Sequence, residues 1–353
     1  MNLPGAPASW LEHDSEQMLA ATAAMPDHIE AALESFNGIG GPPDPTSAVV
    51  VLGMGGSAVA GAVLQALAAP RSTLPVILAS GYDCPAFVGP NTLVFALSFS
   101  GETEETLEAT AAAMKAGAFV VALTQGGSLG QLVAGGGGPV LVIPPGIPQP
   151  RAGVGAMVAP LLLACQQAGI VTGARSDLER SVAQLRRRLP ALVDGGGGAV
   201  EVARRIGRTI PLIHGATGLA AVAARRWKTQ VNENAKAPAF YGSQPEVCHN
   251  EVCGFGQNGD VTRQLLTLVE LHLLGEHPQV ARRFELVAET VAEAVSDIVS
   301  VQGEGEGELA GFFDLVAIGD FMSLHLAGRE GVDPGPVPVL TEIKERLRAA
   351  GEA

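Results

Sequence analysis

From about residue 45 onward, short apolar segments alternate with longer segments in which apolar and polar residues are mixed. Short apolar runs have the length of buried strands, and the stretches of mixed polarity that follow them have the length of helices. In the first half the runs are 48–52, 75–79, 92–97, 118–123 and 139–143, and helical patterns follow Ser57, Thr103 and Ser128. Strands that alternate with helices in this way predict an α/β fold, with parallel, doubly wound sheets flanked by helices.

A second series of the same kind begins at residues 210–213. An apolar run is followed there by the glycine-rich turn 214–218 and by a helical pattern. The apolar residues of that pattern fall on one face of a helix, namely Leu219, Val222, Ala223, Trp227 and Val231. Later segments are predicted as a strand over 264–271, a helix after Pro278, an apolar helix over 309–327 and an amphipathic helix from Pro338. The weak repeat of strand, turn and helix predicts a second α/β domain.

Glycine-rich breaks divide the chain into segments. A chain of 353 residues suits two domains better than one. The breaks lie at 37–43, 135–138 and 195–198, and helical patterns at 152–168 and 177–192 lie between the last two. We therefore predict an N-terminal helical segment over 1–40, a first domain over 41–175, a connecting helix and glycine-rich join over 176–198, and a second domain with a C-terminal helix over 199–353.

Composition and charge narrow the class of partner. The chain is 47% hydrophobic but only 4% aromatic, so Ala, Val, Leu and Ile must fill its cores. Its net charge of −14 and its pI near 4.9 oppose a nucleic-acid footprint, which needs clustered Lys and Arg. A bound phosphate would therefore have to be held locally, by main-chain N–H groups, hydroxyls and a few cations.

Cysteine usage and the N-terminal residues indicate a cytoplasmic protein. The four cysteines include no CxxC pair, and the first residues have neither a basic nor an apolar signal region. The longest apolar runs, such as 156–165, are much shorter than a membrane span requires. We expect free thiols and no transmembrane segment.

The turn after the first strand, Gly53-Met54-Gly55-Gly56-Ser57, supports three interpretations. It is the kind of strand-to-helix turn whose N–H groups bind a phosphate. It also fits the dinucleotide pattern GxGxxA, but the second strand ends in Ala79-Ser80-Gly81 and lacks the acid that binds ribose. A tight turn without any ligand is the third interpretation.

The turn after the third strand carries three hydroxyls. Ser98, Ser100 and Thr103 lie where a strand passes into a helix, and the positive end of the helix dipole favours an anion there. Alternatively, Ser100 caps the helix and the acids Glu102, Glu104 and Glu105 favour its dipole. If a phosphate binds, those glutamates must face away from it.

Residues 231–254 contain an unusual concentration of groups that transfer protons. Glu233, Lys236, Glu246, His249 and Glu251 lie among prolines and amides. Together with the two candidate anion turns, they indicate proton-transfer chemistry on a small phosphorylated metabolite.

Five ordered motifs resemble the bifunctional phosphoglucose/phosphomannose isomerase family, which is built from two SIS (sugar isomerase) domains. They are GMGGSAVAG at 53–61, SFSGETEET at 98–106, PQPRAGVG at 148–155, NENAKAP at 232–238 and HNEVCGF at 249–255, and the C-terminal segment 332–347 is also similar. The resemblance implies two doubly wound SIS-type domains that interconvert glucose 6-phosphate and/or mannose 6-phosphate with fructose 6-phosphate through a cis-enediolate. It also implies a homodimer with shared active sites and no metal or cofactor.

The same resemblance implies roles for individual residues. The phosphate would be bound by the two turns, at Gly55, Gly56, Ser57, Ser98, Ser100 and Thr103. Glu233 would be the base and Arg151 would stabilise the enediolate, while His249 of the neighbouring subunit and Lys344 would assist ring opening. A carboxylate can move a proton between adjacent carbons while a guanidinium holds the developing oxyanion, so the chemistry agrees with the roles.

Each residue also has a simpler interpretation. Glu233 can be a solvated acid at a helix end, Arg151 a surface charge, and Lys344 a helix lysine whose stem covers apolar residues. Lys236 is better explained by a structural or ion-pair role than by catalysis. A metal cluster of Cys248, His249, Cys253 and His272 matches no common zinc spacing.

Two departures from the family pattern and two alternative functions stand. Glu102 occupies a position where the resemblance leads us to expect Asn, and Ala58-Val59-Ala60 is bulkier than a glycine-rich variant of the first motif. The chain could instead be a non-catalytic SIS sensor of sugar phosphates, or an isomerase of a modified sugar phosphate.

Overall fold

The first half of the chain forms a five-stranded parallel sheet. The computed structural model describes residues 12–351. The strands are β1 (Ala48–Gly53), β2 (Val76–Ala79), β3 (Thr92–Leu97), β4 (Phe119–Thr124) and β5 (Val140–Val142). Their order is β2-β1-β3-β4-β5, and every neighbouring pair is parallel. All residues of β1 and β3 are buried, which explains why these central strands are continuous apolar runs.

Helices cover both faces of this sheet. They are α1 (Met18–Ala23), α2 (Met25–Ser35), α3 (Gly55–Ala68), α4 (Glu104–Lys115), α5 (Gly127–Gly135), α6 (Val154–Gln167) and α7 (Ala174–Val193). On one face, Val50 and Val94 pack with residues of α4 and α5. On the other, Val49 and Phe95 join a core that includes residues of α3, α6 and the second half of the chain. The predicted α/β fold of parallel sheets flanked by helices is confirmed.

The second half forms a four-stranded parallel sheet. Its strands are β6 (Ile210–Ala216), β7 (Phe240–Gln244), β8 (Leu266–His272) and β9 (Asp297–Gln302), in the order β7-β6-β8-β9. Its helices are α8 (Ala199–Ile206), α9 (Leu219–Asn234), α10 (Gly259–Leu265), α11 (Pro278–Val291), α12 (Glu308–Arg329) and α13 (Pro338–Gly351). Short 3₁₀ turns occupy Pro150–Gly153, Glu246–His249 and Glu251–Phe255.

Several predicted element limits are wrong in detail. Gln264 and Leu265 belong to α10, so the strand predicted over 264–271 begins at Leu266. The N-terminal helical pattern is two helices that meet at Ala24, and residues 1–11 of the predicted segment lie outside the described residues. Strands β7 and β9 were not predicted.

Helix α12 is the central helix of the second half. By length and composition it is the one helix of residues 12–351 that is apolar enough to cross a membrane, but its whole apolar window is buried inside the protein. It packs against α7, α8 and α9. A helix that is apolar on all sides and covered by other helices is a core helix. The few polar residues that it buries, including Asp320 and Ser323, therefore need partners inside the protein.

Candidate active site

Topology brings the two glycine- and serine-containing turns together. Strands β1 and β3 are neighbours, and Gly53 at the end of β1 is the register partner of Leu97 at the end of β3. The connection from β1 leads to β2, toward one edge of the sheet, and the connection from β3 leads to β4, toward the opposite edge. Ligands of open α/β sheets bind at such a switch point, outside the carboxyl ends of the strands.

The first turn exposes main-chain donors at the start of α3. Gly55 has φ +52°, which favours glycine, and no atom lies within 4 Å of a Cβ built there. The N–H groups of Gly55 and Gly56 begin the helix and have no earlier turn to bond. Ser57 is buried, and its Oγ accepts a hydrogen bond from the Phe99 N–H at 3.3 Å. Ser57 therefore connects the first turn to the second.

In the second turn, which follows β3, the hydroxyls of Ser98, Ser100 and Thr103 are held by hydrogen bonds within the turn. Ser98 Oγ lies 2.8 Å from Thr103 Oγ1 and accepts from the Gly101 N–H at 3.1 Å. Ser100 is exposed, and its Oγ accepts from the Glu102 N–H at 3.2 Å. The N-cap of α4 is Thr103, which makes no side-chain cap bond, so the interpretation of Ser100 as the cap is wrong.

Glu102 is directed toward α5. Its Oε1 accepts from the Ser128 N–H at 2.8 Å and its Oε2 accepts from Ser128 Oγ at 2.9 Å. A carboxylate placed at the N-terminus of a helix is stabilised by the N–H groups of the first turn, here those of α5. This contact gives Glu102 a structural role at the position where the sequence departs from the expected Asn.

Arg151 is the centre of the polar cluster next to these turns. It lies in the 3₁₀ turn Pro150–Gly153 and is 2% exposed, so the interpretation as a surface charge is wrong. A Cβ added to Gly56 would be 3.8 Å from the Arg151 main-chain nitrogen. The main chain that carries the Arg151 side chain therefore lies directly beside the first turn.

All five N–H donors of the Arg151 guanidinium have acceptors. Nε donates to Asn234 Oδ1 at 2.6 Å, and Nη1 donates to Gln149 Oε1 at 3.1 Å and to Glu233 Oε2 at 3.3 Å. Nη2 donates to the carbonyls of Pro334, at 2.5 Å, and Gly335. Burial lowers the pKa of Arg151, and the neighbouring Glu233 carboxylate is the largest of the effects that oppose this shift. The acceptors explain how a charged group is tolerated in the interior.

Glu233 lies in the last turn of α9 with its side chain 29% exposed. It pairs with Arg151, so it is not the isolated, solvated acid of the simpler interpretation. Its main-chain carbonyl accepts from Lys236 Nζ at 2.5 Å. Burial lowers the pKa of Lys236, with Arg151 as the second cause. The ammonium binds main-chain oxygens, in agreement with a structural role for Lys236.

His249 and Lys344 are both exposed in the single chain. His249 is exposed at the end of the turn Glu246–His249, which contacts β7 and the following 3₁₀ turn. Lys344 is exposed on α13. Among the hydrogen bonds and ion pairs of residues 12–351, those of Arg151 and Glu233 include neither residue. The same described part of the chain has no group of three or more His, Cys, Asp or Glu side chains that could hold a metal ion.

Sequence reasoning missed several polar residues of the cluster. Gln149 bonds to Glu16 Oε2 at 2.7 Å, which brings the N-terminal segment to the site. A cavity of about 510 Å³ opens beside this pair and is otherwise lined by the start of α13 and the loop before it. Arg226 donates to the Arg151 carbonyl at 2.7 Å. The sequence did contain one signal for these contacts. Arg226, Gln230 and Asn234 are spaced by four residues, so three polar side chains share a helix face that is otherwise apolar.

Comparisons with known proteins show which families and folds this chain is similar to. Residues 197–347 match the family model of the bacterial phospho-glucose isomerase C-terminal SIS domain. A bifunctional phosphoglucose/phosphomannose isomerase of Caldicellulosiruptor bescii is 33% identical over 336 residues, which cover 94% of this chain and 98% of that relative. One of Aquifex aeolicus is 32% identical and covers 86% of this chain and 91% of that relative. The C-terminal domain of glucosamine-fructose-6-phosphate aminotransferase from Francisella tularensis has a similar fold, with TM-score 0.66 at 13% identity over 91% of this chain and 97% of that one.

Proposed function

The chain belongs to the bifunctional phosphoglucose/phosphomannose isomerase family, and we propose that it isomerises its substrate by proton transfer at Glu233 beside Arg151. It is an aldose–ketose isomerase that interconverts glucose 6-phosphate and/or mannose 6-phosphate with fructose 6-phosphate. The observation that supports the proposed site is the contact between Glu233 and Arg151 next to the switch point of the first sheet.

The phosphate is proposed to bind at the two turns of the switch point. Main-chain N–H groups of Gly55 and Gly56 and the hydroxyls of Ser57, Ser98, Ser100 and Thr103 are its ligands in this proposal. These donors suit a protein of net charge −14, because the field of the whole molecule does not attract an anion. Glu102 does not oppose binding, since its carboxylate caps α5.

Glu233 then removes the proton from C2 of the open-chain aldose and returns it to C1, while the hydroxyl proton of O2 is transferred to O1. Loss of that proton makes C2 planar, so glucose 6-phosphate and mannose 6-phosphate give the same cis-enediolate. Arg151 stabilises the oxyanion that forms. Its Nη1 contacts are at 3.1 and 3.3 Å, longer than the contacts of Nε and Nη2. Nη1 is therefore the nitrogen that exchanges its partners for the substrate oxygen.

Ring opening is assigned to His249 and Lys344, and His249 is proposed to come from a second subunit. The exposed position of His249 in one chain supports this arrangement. Helix α13 supports dimerisation, because four apolar residues of its surface are exposed: Val339, Leu340, Ile343 and Leu347. The four free cysteines support a cytoplasmic location.

The experiment that tests this proposal is a coupled assay of the purified protein with each aldose 6-phosphate, in the presence of EDTA. We expect turnover of both substrates and, in deuterated solvent, incorporation of deuterium at C1 of the fructose 6-phosphate that forms. Glu233→Gln should bind substrate normally but lose about two to four orders of magnitude in turnover. Glu293→Gln, which changes an exposed glutamate, is the matched control and should behave as the wild type.

Three results would contradict the proposal. Absence of turnover with both aldose phosphates would remove the assigned activity. Wild-type turnover in Glu233→Gln would remove the assigned base. Recovery of activity only after addition of a metal ion would contradict a metal-free mechanism.

A further inference from the structure

Helix α9 buries a stripe of three polar side chains. Arg226, Gln230 and Asn234 are spaced by four residues, so they lie on one face of the helix, and each is at most 1% exposed. Burial of polar groups is unfavourable unless they are hydrogen-bonded. The partners of Arg226 and Asn234 therefore indicate the role of this helix face.

The two ends of the stripe bind the same residue. Asn234 Oδ1 accepts from Arg151 Nε at 2.6 Å, and Arg226 Nη2 donates to the Arg151 main-chain carbonyl at 2.7 Å. One contact fixes the guanidinium and the other fixes the main chain that carries it. Arg151 is thus held on both sides by residues two helical turns apart on α9.

Helix α12 supplies the remaining partners of Arg226 and Asn234. Asp320 accepts from Arg226 through both carboxylate oxygens, at 3.0 and 2.6 Å, and both side chains are 1% exposed. Asn234 Nδ2 donates to Ser323 Oγ at 2.9 Å, and Ser323 Oγ donates to the Asp320 carbonyl at 2.7 Å. The hydrogen bonds form a closed circuit that begins and ends at Arg151.

We infer that Arg226, Asp320, Asn234 and Ser323 are positioning residues for Arg151. This inference rests on the proposed function, in which Arg151 stabilises the enediolate. The circuit fixes Nε and the main chain, so Nη1 stays directed toward Glu233 and the place where the oxyanion forms. Asp320 also balances the charge of Arg226, which would otherwise lie unpaired close to Arg151.

The test is the double variant Arg226→Met/Asp320→Leu. Apolar residues of similar volume often replace a buried ion pair without loss of stability, so the variant is expected to fold. Because misplacement of a catalytic group by about 1 Å can cost about a hundredfold in rate, we expect kcat to fall about 10- to 100-fold with both aldose phosphates. KM should change less than about threefold, since the phosphate turns are untouched.

The matched control is Arg188→Met/Asp314→Leu. This second ion pair joins α7 to α12, with Arg188 Nε 2.8 Å from Asp314 Oδ1. Among the described residues, no hydrogen bond or ion pair of these two side chains reaches Arg151. It should keep the wild-type kcat even if its unfolding temperature falls. An equal loss of kcat in both double variants would attribute the effect to α12 in general and overturn the inference.

Asn234 gives a second test that does not depend on the ion pair. Asn234→Asp keeps an acceptor for Arg151 Nε, while Asn234→Leu removes it. We expect kcat to fall in Asn234→Leu and to recover at least partly in Asn234→Asp. Wild-type kcat in Asn234→Leu and in the Arg226/Asp320 double variant would overturn the positioning role.

A binding measurement separates this inference from the proposed function. A phosphorylated aldonic acid, whose carboxylate mimics the charge of the enediolate, should bind the Arg226/Asp320 variant about tenfold or more weakly than the wild type. Inorganic phosphate should bind both equally. If the wild type binds the acid but has no turnover, the proposed function fails while the positioning role is still tested by these affinities. Equal affinity of wild type and variant for the acid would overturn the positioning role alone.

Discussion

At the scale of single residues, Arg151 is notable because its hydrogen-bonding capacity is fully used before any substrate arrives. Two of its five acceptors are main-chain carbonyls in the loop before α13. Only the acceptors of Nη1 are both flexible side chains, those of Gln149 and Glu233. In the proposed mechanism, substrate would therefore compete with these two side chains, while the other three contacts keep the guanidinium in place.

Substitution of Arg151 by Lys tests this division of the donors. An ammonium has three donors in place of five and cannot form the planar fork. We expect kcat to fall about 100-fold or more, and the free energy of unfolding to fall by about 1–3 kcal/mol because carbonyls of the loop lose their donor. The measurements are steady-state kinetics with both aldose phosphates and urea unfolding.

The control for that variant is Arg175→Lys. Arg175 also donates to a main-chain carbonyl, that of Leu33 at 3.0 Å, but it lies outside the site. It should lose stability with no change in kcat. If Arg151→Lys kept the wild-type kcat, the guanidinium would not be the group that stabilises the oxyanion.

At the scale of elements, Gly61 shows how closely α3 packs on the first sheet. A Cβ at this position would lie 2.8 Å from Leu78 Cδ1 and from Val51 Cγ1. Helix propensity favours Ala over Gly by about 1 kcal/mol, but overpacking of a core costs about 1–3 kcal/mol. We therefore expect Gly61→Ala to lower the free energy of unfolding. Gly135→Ala, where no atom lies within 4 Å of the added Cβ, should be neutral or stabilising in the same urea titration.

How well each element could be predicted depends on where its side chains face. Strands β1 and β3 are buried on both faces, and their continuous apolar runs gave the prediction. Strand β7 was missed because Phe240 and Tyr241 are exposed and a glycine follows them. Strand β9 alternates buried and exposed positions toward its end, so its period of two was present in the sequence and was overlooked.

Helix α12 also places a histidine in the core. His325 is 3% exposed, and desolvation by burial lowers its pKa from 6.5 to about 4. The unfolded chain therefore binds a proton near pH 6.5 that the folded protein does not bind until about pH 4. The contribution of neutral His325 to the free energy of unfolding is fully present above pH 6.5. It is lost as the pH falls from 6.5 to about 4, by an amount on the order of 3 kcal/mol.

The variant His325→Gln cannot titrate in this range. Between pH 6.5 and 4, its free energy of unfolding should fall less steeply than that of the wild type. Urea titrations at several pH values measure the two slopes. Equal slopes would mean that the His325 proton is not linked to unfolding, whatever the absolute stability of the variant.

At the scale of the whole molecule, the site lies where four parts of the chain meet. Arg151 belongs to the first half, Glu233 and Asn234 to the second, and the site also includes Glu16 of the N-terminal segment and the carbonyls before α13. Motifs indicated Arg151 and Glu233 as candidates because the chemistry of these residue types can be recognised locally in the sequence. They did not predict Gln149, Glu16 or the loop carbonyls, since contacts between distant segments leave no pattern in the sequence. The predicted domain limits, 41–175 and 199–353, remain a prediction.

The proposed dimer places residues of two chains in one active site. In a dimer with two-fold symmetry, a residue that crosses the interface does so twice. Suppose a Glu233→Gln chain pairs with a His249→Ala chain. One site then carries both substitutions, and the other combines the intact Glu233 of one subunit with the intact His249 of the other.

Mixing the two inactive variants should therefore restore activity. After unfolding and refolding together in equal amounts, random pairing is expected to give about a quarter of the wild-type turnover, because about half of the dimers are mixed and each has one intact site. Each variant refolded alone is the control and should stay inactive. If mixed dimers form, as a size tag on one chain can establish, but no activity returns, each subunit must contain a complete site. The assignment of His249 to the partner's site would then be wrong, while the roles of Glu233 and Arg151 would be unaffected.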